Sequence, residues 1–252
     1  MALLSLLGLL LGLSTVAYVL WDGGIIAVFV NVNAIILVFG GTIGATMITY
    51  PWKIVKQLPR AWWIVFFPRK SRDPQELIDQ LMDIQQVVYT GGIDDVDINT
   101  IGDGFLRSGL RMILEEQSEQ DLRDELETEV FYERQRKQRV IDVFRAMGDF
   151  APIFGLLGTL IGIVQVLKFL GSPEQMGNYM ALAITTTFYG IFGCNFIFLP
   201  TAGKLEGYSE DGLLLMDLII VGVLSIRRRE RPTVMRRRLE RFLTQRRKAA
   251  VK

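Results

Sequence analysis

Among the threonines in stretches that carry no charge at all, four stand out. Thr159 lies in the uncharged stretch 150–167, and Thr185, Thr186 and Thr187 lie in the uncharged stretch 175–203. A hydroxyl oxygen is a hard ligand. In apolar surroundings it can replace part of the water shell of a passing cation. Neither stretch holds a carboxylate, so a cation path along them needs its charged group from another chain. Small residues accompany the hydroxyls. Gly155, Thr159 and Gly162 follow at spacings of four and three, as do Thr186, Gly190 and Gly193. Each set shares one helix face. With Gly158, these glycines are candidates for close packing of a partner helix within a membrane. Packing alone accounts for the spacing, and the hydroxyls are what point beyond it. Pro152 and Pro200 each remove a backbone donor and crowd the carbonyl four residues earlier, at Gly148 and Phe196. A static kink is one reading. A hinge is the other, favoured by a matching pair.

The elements that must position these residues follow from composition. The chain has 252 residues, of which 50% are hydrophobic and 22% charged, with a net charge of +1. That balance hides strong segregation. Asp22 is the only charged residue before Lys53, whereas 53–149 is densely charged and 227–252 is rich in arginine. There is no His and a single Cys, Cys194. A zincin, a Ser-His-Asp triad, a disulfide and a Cys-based metal cluster are thereby excluded. No Gly-rich phosphate loop or dinucleotide fingerprint is visible, so no ATP-driven pump, cofactor or enzyme is expected.

Uncharged apolar stretches of this length read as membrane spans. Four are expected, over 1–21, 25–52, 150–167 and 176–200. The first lacks the basic leader of a signal peptide and reads as a retained helix. The apolar stretch 213–226 is short and interrupted by Asp217, which fits a helix packed on protein or lying in the interface better than a fifth span. Lys and Arg cluster after the second span, before the third and after the fourth. The loops on the other side hold only Lys168. The positive-inside rule then places both termini and the large loop in the cytoplasm. The expected fold is all-α: a hairpin of two spans (1–52), a cytoplasmic helical domain (53–149), a second hairpin (150–203), and a C-terminal helix with a basic tail (204–252). That tail is expected to touch anionic lipid rather than nucleic acid.

Within the cytoplasmic half, Asp73 is an N-cap candidate, with Pro74 at the first helical position and Glu76 completing a capping box. Leu77, Ile78, Leu81, Met82 and Gln85 form a stripe at helical spacing, and Gly91-Gly92 ends it. A second helix is expected over 105–114. A third, capped by Ser118 with Asp121, carries Leu122, Leu126 and Val130 and can run straight into the third span, because no Pro or Gly intervenes before Gly148.

At these residues the sequence resembles the MotA/PomA family of flagellar stator subunits, over nearly the whole chain. The most specific match is Met147-Gly148-Asp149-Phe150-Ala151-Pro152, running into Gly155-Leu156-Leu157-Gly158-Thr159-Leu160-Ile161-Gly162. Thr186-Thr187-Phe188-Tyr189-Gly190, Pro200-Thr201-Ala202-Gly203-Lys204-Leu205 and Phe105-Leu106-Arg107-Ser108-Gly109-Leu110 follow. The related TolQ/ExbB proteins share the pattern of the third and fourth spans but usually have three spans. The resemblance implies an inner-membrane motor in which five such chains surround a single-span, peptidoglycan-binding partner of the MotB/PomB type. The partner brings the membrane Asp, and ion flow drives a rotor of the FliG type. It implies an ion pathway at Thr159, Thr186 and Thr187, and Thr rather than Ala at 159 leans toward Na+ over H+. Rotor contact in the family is assigned to a basic pair before the residues matching Gly91-Gly92, and to an acidic residue after them. Here Tyr89-Thr90 replace the pair. Asp97 stands for the acidic residue, and Arg107 and Arg111 are candidate substitutes. That departure leaves open a TolQ/ExbB-like energiser or a stator driving a different machine.

Overall fold

The computed structural model describes residues 2–67 and 72–250, with side chains described for these apart from 2–6, 9, 66 and 245–250. The described chain is helical throughout, with no strand among the described residues. The main helices are α1 (Ala2–Asp22), α2 (Val32–Thr49, with a π-turn at Ile36–Gly40), α3 (Leu58–Phe66), α4 (Pro74–Thr90), α5 (Gly104–Leu114), α6 (Glu119–Lys168), α7 (Pro173–Phe192), α8 (Leu199–Arg227) and α9 (Pro232–Ala250). A π-turn, Gly193–Phe198, joins α7 to α8 without a break.

The chain divides into two compact units. One comprises residues 1–69 and 138–206, the other 70–137 and 207–252. The expected stretch 150–167 is the last part of the 50-residue α6, which begins at Glu119 as the lack of breakers predicts. Its N-terminus is capped as read from sequence: the Asp121 amide donates to Ser118 Oγ at 3.1 Å, and that hydroxyl donates to Asp121 Oδ2 at 2.6 Å. By length and hydropathy, Val32–Thr49 and Glu119–Lys168 are the two described helices able to cross a membrane. The apolar stretch 176–200 is shared among α7, the π-turn and α8.

In the first unit, α2 turns small residues and threonines inward and large apolar residues outward. On α2 the buried positions are Ala34, Val38, Thr42 and Thr46, spaced four apart on one face. Both threonines satisfy their hydroxyls on carbonyls of their own helix, at 2.7 Å each. The outward positions are large and apolar: Ile35, Ile36, Ile43, Met47 and Ile48, the last 89% exposed. The same holds for Ile153, Leu156, Leu160, Val164 and Leu167 on α6. Contiguous apolar surface on this scale is not what water selects.

The second unit is built the opposite way. Leu77, Ile78, Leu81, Ile84 and Val88 of α4 pack with Leu106 and Leu110 of α5 and with Leu122, Leu126 and Val130 of α6. Leu218, Ile219, Val223 and Ile226 of α8 join them, with Met235 and Leu239 of α9. The short apolar stretch 213–226 is therefore core of this unit. Asp73 caps α4 by accepting from the Gln75 amide at 3.1 Å, and Gly92 at φ 123° turns the chain after it. Gln85, read as part of the apolar stripe, is fully buried, and its amide donates to the Glu230 carbonyl. Arg228 bonds Glu119, and that contact holds the Glu119 carboxyl below its ordinary range. A lowered carboxyl pKa stabilises the fold at neutral pH, and the contribution is lost as pH falls through the carboxylate range.

Gly222 gives a stability test. A Cβ placed there would stand 2.7 Å from Leu81 Cδ1, inside the core. Gly222→Ala alone is expected to cost about 1–3 kcal/mol by overpacking, and Leu81→Ala alone about 2–5 kcal/mol. The double variant, measured by denaturant unfolding of the solubilised chain, should cost less than the sum.

Candidate functional site

Gly155, Gly158 and Gly162 meet Gly190, Thr186 and Thr187 where α6 and α7 cross. Gly155, Gly158 and Gly162 line one stripe of α6, and each removes a Cβ that has no room. At Gly155 it would stand 2.9 Å from the Thr186 carbonyl oxygen. At Gly158 it would stand 2.5 Å from the Thr186 side chain, and at Gly162 2.7 Å from the Ala183 Cβ. From the other side, a Cβ on Gly190 would stand 2.7 Å from the Ala151 carbonyl oxygen and 3.1 Å from the Pro152 Cα. The two backbones are thus in direct contact, as small-residue faces permit. The helix that these four glycines face is one of this same chain. Gly193 does not join them. It faces Phe39 of α2 at 3.3 Å, because the wider π-turn begins there.

The three candidate hydroxyls differ in what they have left to offer. Thr186 is fully buried at the crossing and its hydroxyl lies within 2.9–3.0 Å of the Ala183 and Leu182 carbonyls. Thr159 is half-buried beside the glycine stripe and donates to the Leu156 carbonyl at 2.6 Å. A hydroxyl that spends its proton on its own backbone keeps only lone pairs for a neighbour, which suits a cation and not an anion. Thr187 is half-buried, and its Oγ1 is shielded from water with no hydrogen-bond partner. An unpaired buried oxygen is costly, so a ligand or a neighbouring chain that reaches it gains that energy. Thr185 is fully buried and bonds the Ala181 carbonyl at 2.8 Å.

Helix α6 continues through Pro152. Pro200 is the second residue after the π-turn, where the Leu199 amide reaches back five residues to the Cys194 carbonyl. The wide turn thereby absorbs the register change that a proline imposes. The proposed rotor-contact residues lie in the other unit. Asp97 is exposed and caps a short turn by accepting from the Asn99 amide at 3.1 Å. Arg107 is half-buried, with its guanidinium 2.5 Å from the Ile101 carbonyl oxygen. Arg111 is exposed. Tyr89 and Thr90 are exposed on the last turn of α4.

Sequence reasoning missed three features. Phe154 sits over Gly41 of α2, where a Cβ would come within 2.3 Å of its ring. Gln165 Oε1 is buried without a partner. A pocket of about 470 Å³ is lined by Asn31, Asn33, Asn178 and Tyr179. Asn31 and Asn33 do stand out as polar breaks in an apolar stretch. Gly41 carries no signal beyond being small.

The crossing makes a definite prediction. Gly190→Ala drives a methyl group into a carbonyl and a Cα, neither of which can rotate away. It should lower the melting temperature of the solubilised chain by roughly 3–10 °C, whereas Gly177→Ala, where nothing stands within 4 Å of the added Cβ, should leave it unchanged.

Comparison with known proteins places this architecture. Residues 97–217 match the model of the MotA/TolQ/ExbB proton channel family. The chain is 31% identical over 251 residues to the chemotaxis protein PomA of Vibrio alginolyticus, covering 99% of this chain and 98% of that protein. Its fold superposes on a solved structure of C. jejuni MotAB with a TM-score of 0.88 at 22% identity, covering 96% of each chain. It also superposes on the flagellar MotAB stator complex from Bacillus subtilis, with a TM-score of 0.80 at 29% identity, covering 89% of this chain and 91% of that one. The chain belongs to the MotA/TolQ/ExbB proton channel family, a family of ion channels and not of enzymes, and within it to the MotA/PomA group.

Proposed function

We propose that this chain is an ion-conducting stator subunit of the flagellar motor. With a single-span MotB/PomB-type partner, it converts ion flow across the inner membrane into rotation. The observation that carries this is the pairing of an apolar outer surface with hydroxyl oxygens at the α6–α7 crossing, in spans that hold no carboxylate. Such a path is incomplete until another chain supplies the charge. The near full-length likeness to PomA and to MotAB stators supports the same assignment.

In this reading the chain crosses the membrane four times with both termini in the cytoplasm, following the distribution of Lys and Arg. The first hairpin is 1–52 and the second 150–203. The parts 53–149 and 204–252 form the cytoplasmic domain and tail. Five copies surround the partner. Thr159 and Thr187 offer oxygens to the ion, and Thr186 holds the helix pair together beside them. The ion is Na+ in preference to H+, because hydroxyl oxygens at Thr159 and Thr187 suit a cation that must exchange water for oxygen ligands. Pro152 and Pro200 act as the hinge between the membrane and cytoplasmic parts. Asp97 and Arg111 touch a rotor protein of the FliG type. Arg107, already bonded to the Ile101 carbonyl, positions the loop that carries Asp97.

A second reading is favoured by one observation. The exposed Tyr89 and Thr90 stand where the resemblance leads one to expect a basic pair. A stator that drives a different machine, or a TolQ/ExbB-like energiser, would have no need of that pair.

Deleting the gene separates the two readings. Paralysed but intact flagella support the flagellar stator, and normal swimming with a defect in the cell envelope supports the energiser. In a strain that depends on this stator, swimming speed should rise with external sodium at constant pH. Thr187→Val should slow swimming at low sodium by weakening ion binding about tenfold, a loss of about 1.4 kcal/mol. Pro152→Ala and Pro200→Ala should leave the complex assembled, as seen by co-purification of the partner, yet cut torque in a tethered-cell assay. Normal torque in both would remove the hinge.

A further inference from the structure

The reading above takes only topology from the basic residues of segment 52–67, whose chemistry is unlike that of the rest of the first unit. It consists of a single turn, Trp52–Val55, followed by α3 (Leu58–Phe66). The inner side of α3 is held by Ala61 and Val65, which are 8% and 4% exposed. Ala61 packs with Ile141, Phe144 and Met147 of α6, so the helix is fixed in place. Its outer side is aromatic. Trp63 and Phe67 stack with ring centroids 4.6 Å apart, and both are nearly two-thirds exposed, as is Trp52. Indole rings on a surface of this kind fit the boundary between headgroups and acyl chains, with an apolar body and a polar N–H.

The charges beside the rings all have one sign. Lys53, Lys56 and Arg60 are exposed and follow at spacings of three and four. No acidic residue occurs from Gly23 to Arg72. None of the three cations forms an ion pair among the described residues. A row of unpaired cations beside exposed aromatic rings matches a surface that is negative at one depth and apolar a few ångströms deeper.

We infer that the segment 52–67 is a docking surface for anionic phospholipid. Lys53, Lys56 and Arg60 hold the headgroup phosphates, and Trp52, Trp63 and Phe67 enter the acyl boundary. The inference rests on the membrane reading of the chain and adds the class of lipid and the residues that select it. Anionic lipid would then fix the level of α3 at the inner face, and with it the stretch of α6 on which Ala61 packs.

The chain contains four Trp, and three of them (Trp52, Trp62 and Trp63) lie in this segment. A full-length Trp21→Phe protein therefore reports from it alone. The protein is reconstituted in phosphatidylcholine vesicles containing phosphatidylglycerol, with bromine on the acyl chains of one lipid or the other at equal mole fraction. Each basic residue near a charged surface is worth roughly a fivefold partition. Brominated phosphatidylglycerol should therefore quench Trp emission several-fold more than brominated phosphatidylcholine. The triple substitution Lys53→Gln, Lys56→Gln, Arg60→Gln should bring the ratio to about one while quenching by brominated phosphatidylcholine persists, showing that the segment is still seated. Equal quenching by both lipids in the parent protein would overturn the inference, leaving the membrane reading intact and an acidic polypeptide as the occupant. A preference that survives the triple substitution would also overturn it, and would assign the lipid to the basic tail. No quenching by either lipid would overturn the membrane reading itself.

Discussion

Everything in the first unit depends on two helix backbones touching. Gly155, Gly158 and Gly162 on one side and Gly190 on the other leave no room for a single Cβ between α6 and α7. Without a hydrophobic drive between helices in lipid, contact at this range is what holds them. The contact also decides where the hydroxyls go. It buries Thr186, leaves Thr159 at the edge of the stripe, and leaves the Thr187 oxygen with no partner. The chemistry proposed for the site is thus a by-product of a packing constraint, with the unsatisfied oxygen as its most telling part.

The two units solve opposite solvent problems with one chain. The first turns threonines inward and isoleucines outward, and the second buries leucines under charged helices. The long helices α6 and α8 contribute to both units, so each must change its pattern part-way along. In α6 the change follows the polar run at 133–139. In α8 the apolar face becomes the core of the second unit from Leu213 onward. In the function proposed above, this division lets ions act in one environment and a rotor be touched in another.

Much of this was legible from the residues. Uncharged stretches gave the apolar helices, and the absence of breakers gave the unbroken α6. The apolar but interrupted stretch 213–226 read as packed helix, and its residues are core. The glycine spacing marked close-packing faces, because a face is set by helical period alone, but not which helix would meet them. What was not legible depends on neighbours distant in sequence. Gly193 shares the period of Thr186 and Gly190, but it meets Phe39 because a π-turn, which spacing does not announce, begins at that residue. Gln85 looked like a stripe position, and its amide is satisfied by a carbonyl 145 residues away. Arg107 looked like a surface charge and is committed to its own loop.

The most direct measurement is ion flux through the purified complex. This chain would be co-expressed with a single-span partner bearing a membrane Asp, reconstituted in vesicles, and followed for sodium and proton uptake under an imposed gradient. The account requires flux when both chains are present, sodium-selective and abolished when the partner's Asp is neutralised. Uptake by this chain alone would contradict the need for a partner's charge, and no uptake with the partner in place would leave the hydroxyls at the α6–α7 crossing as packing and nothing more.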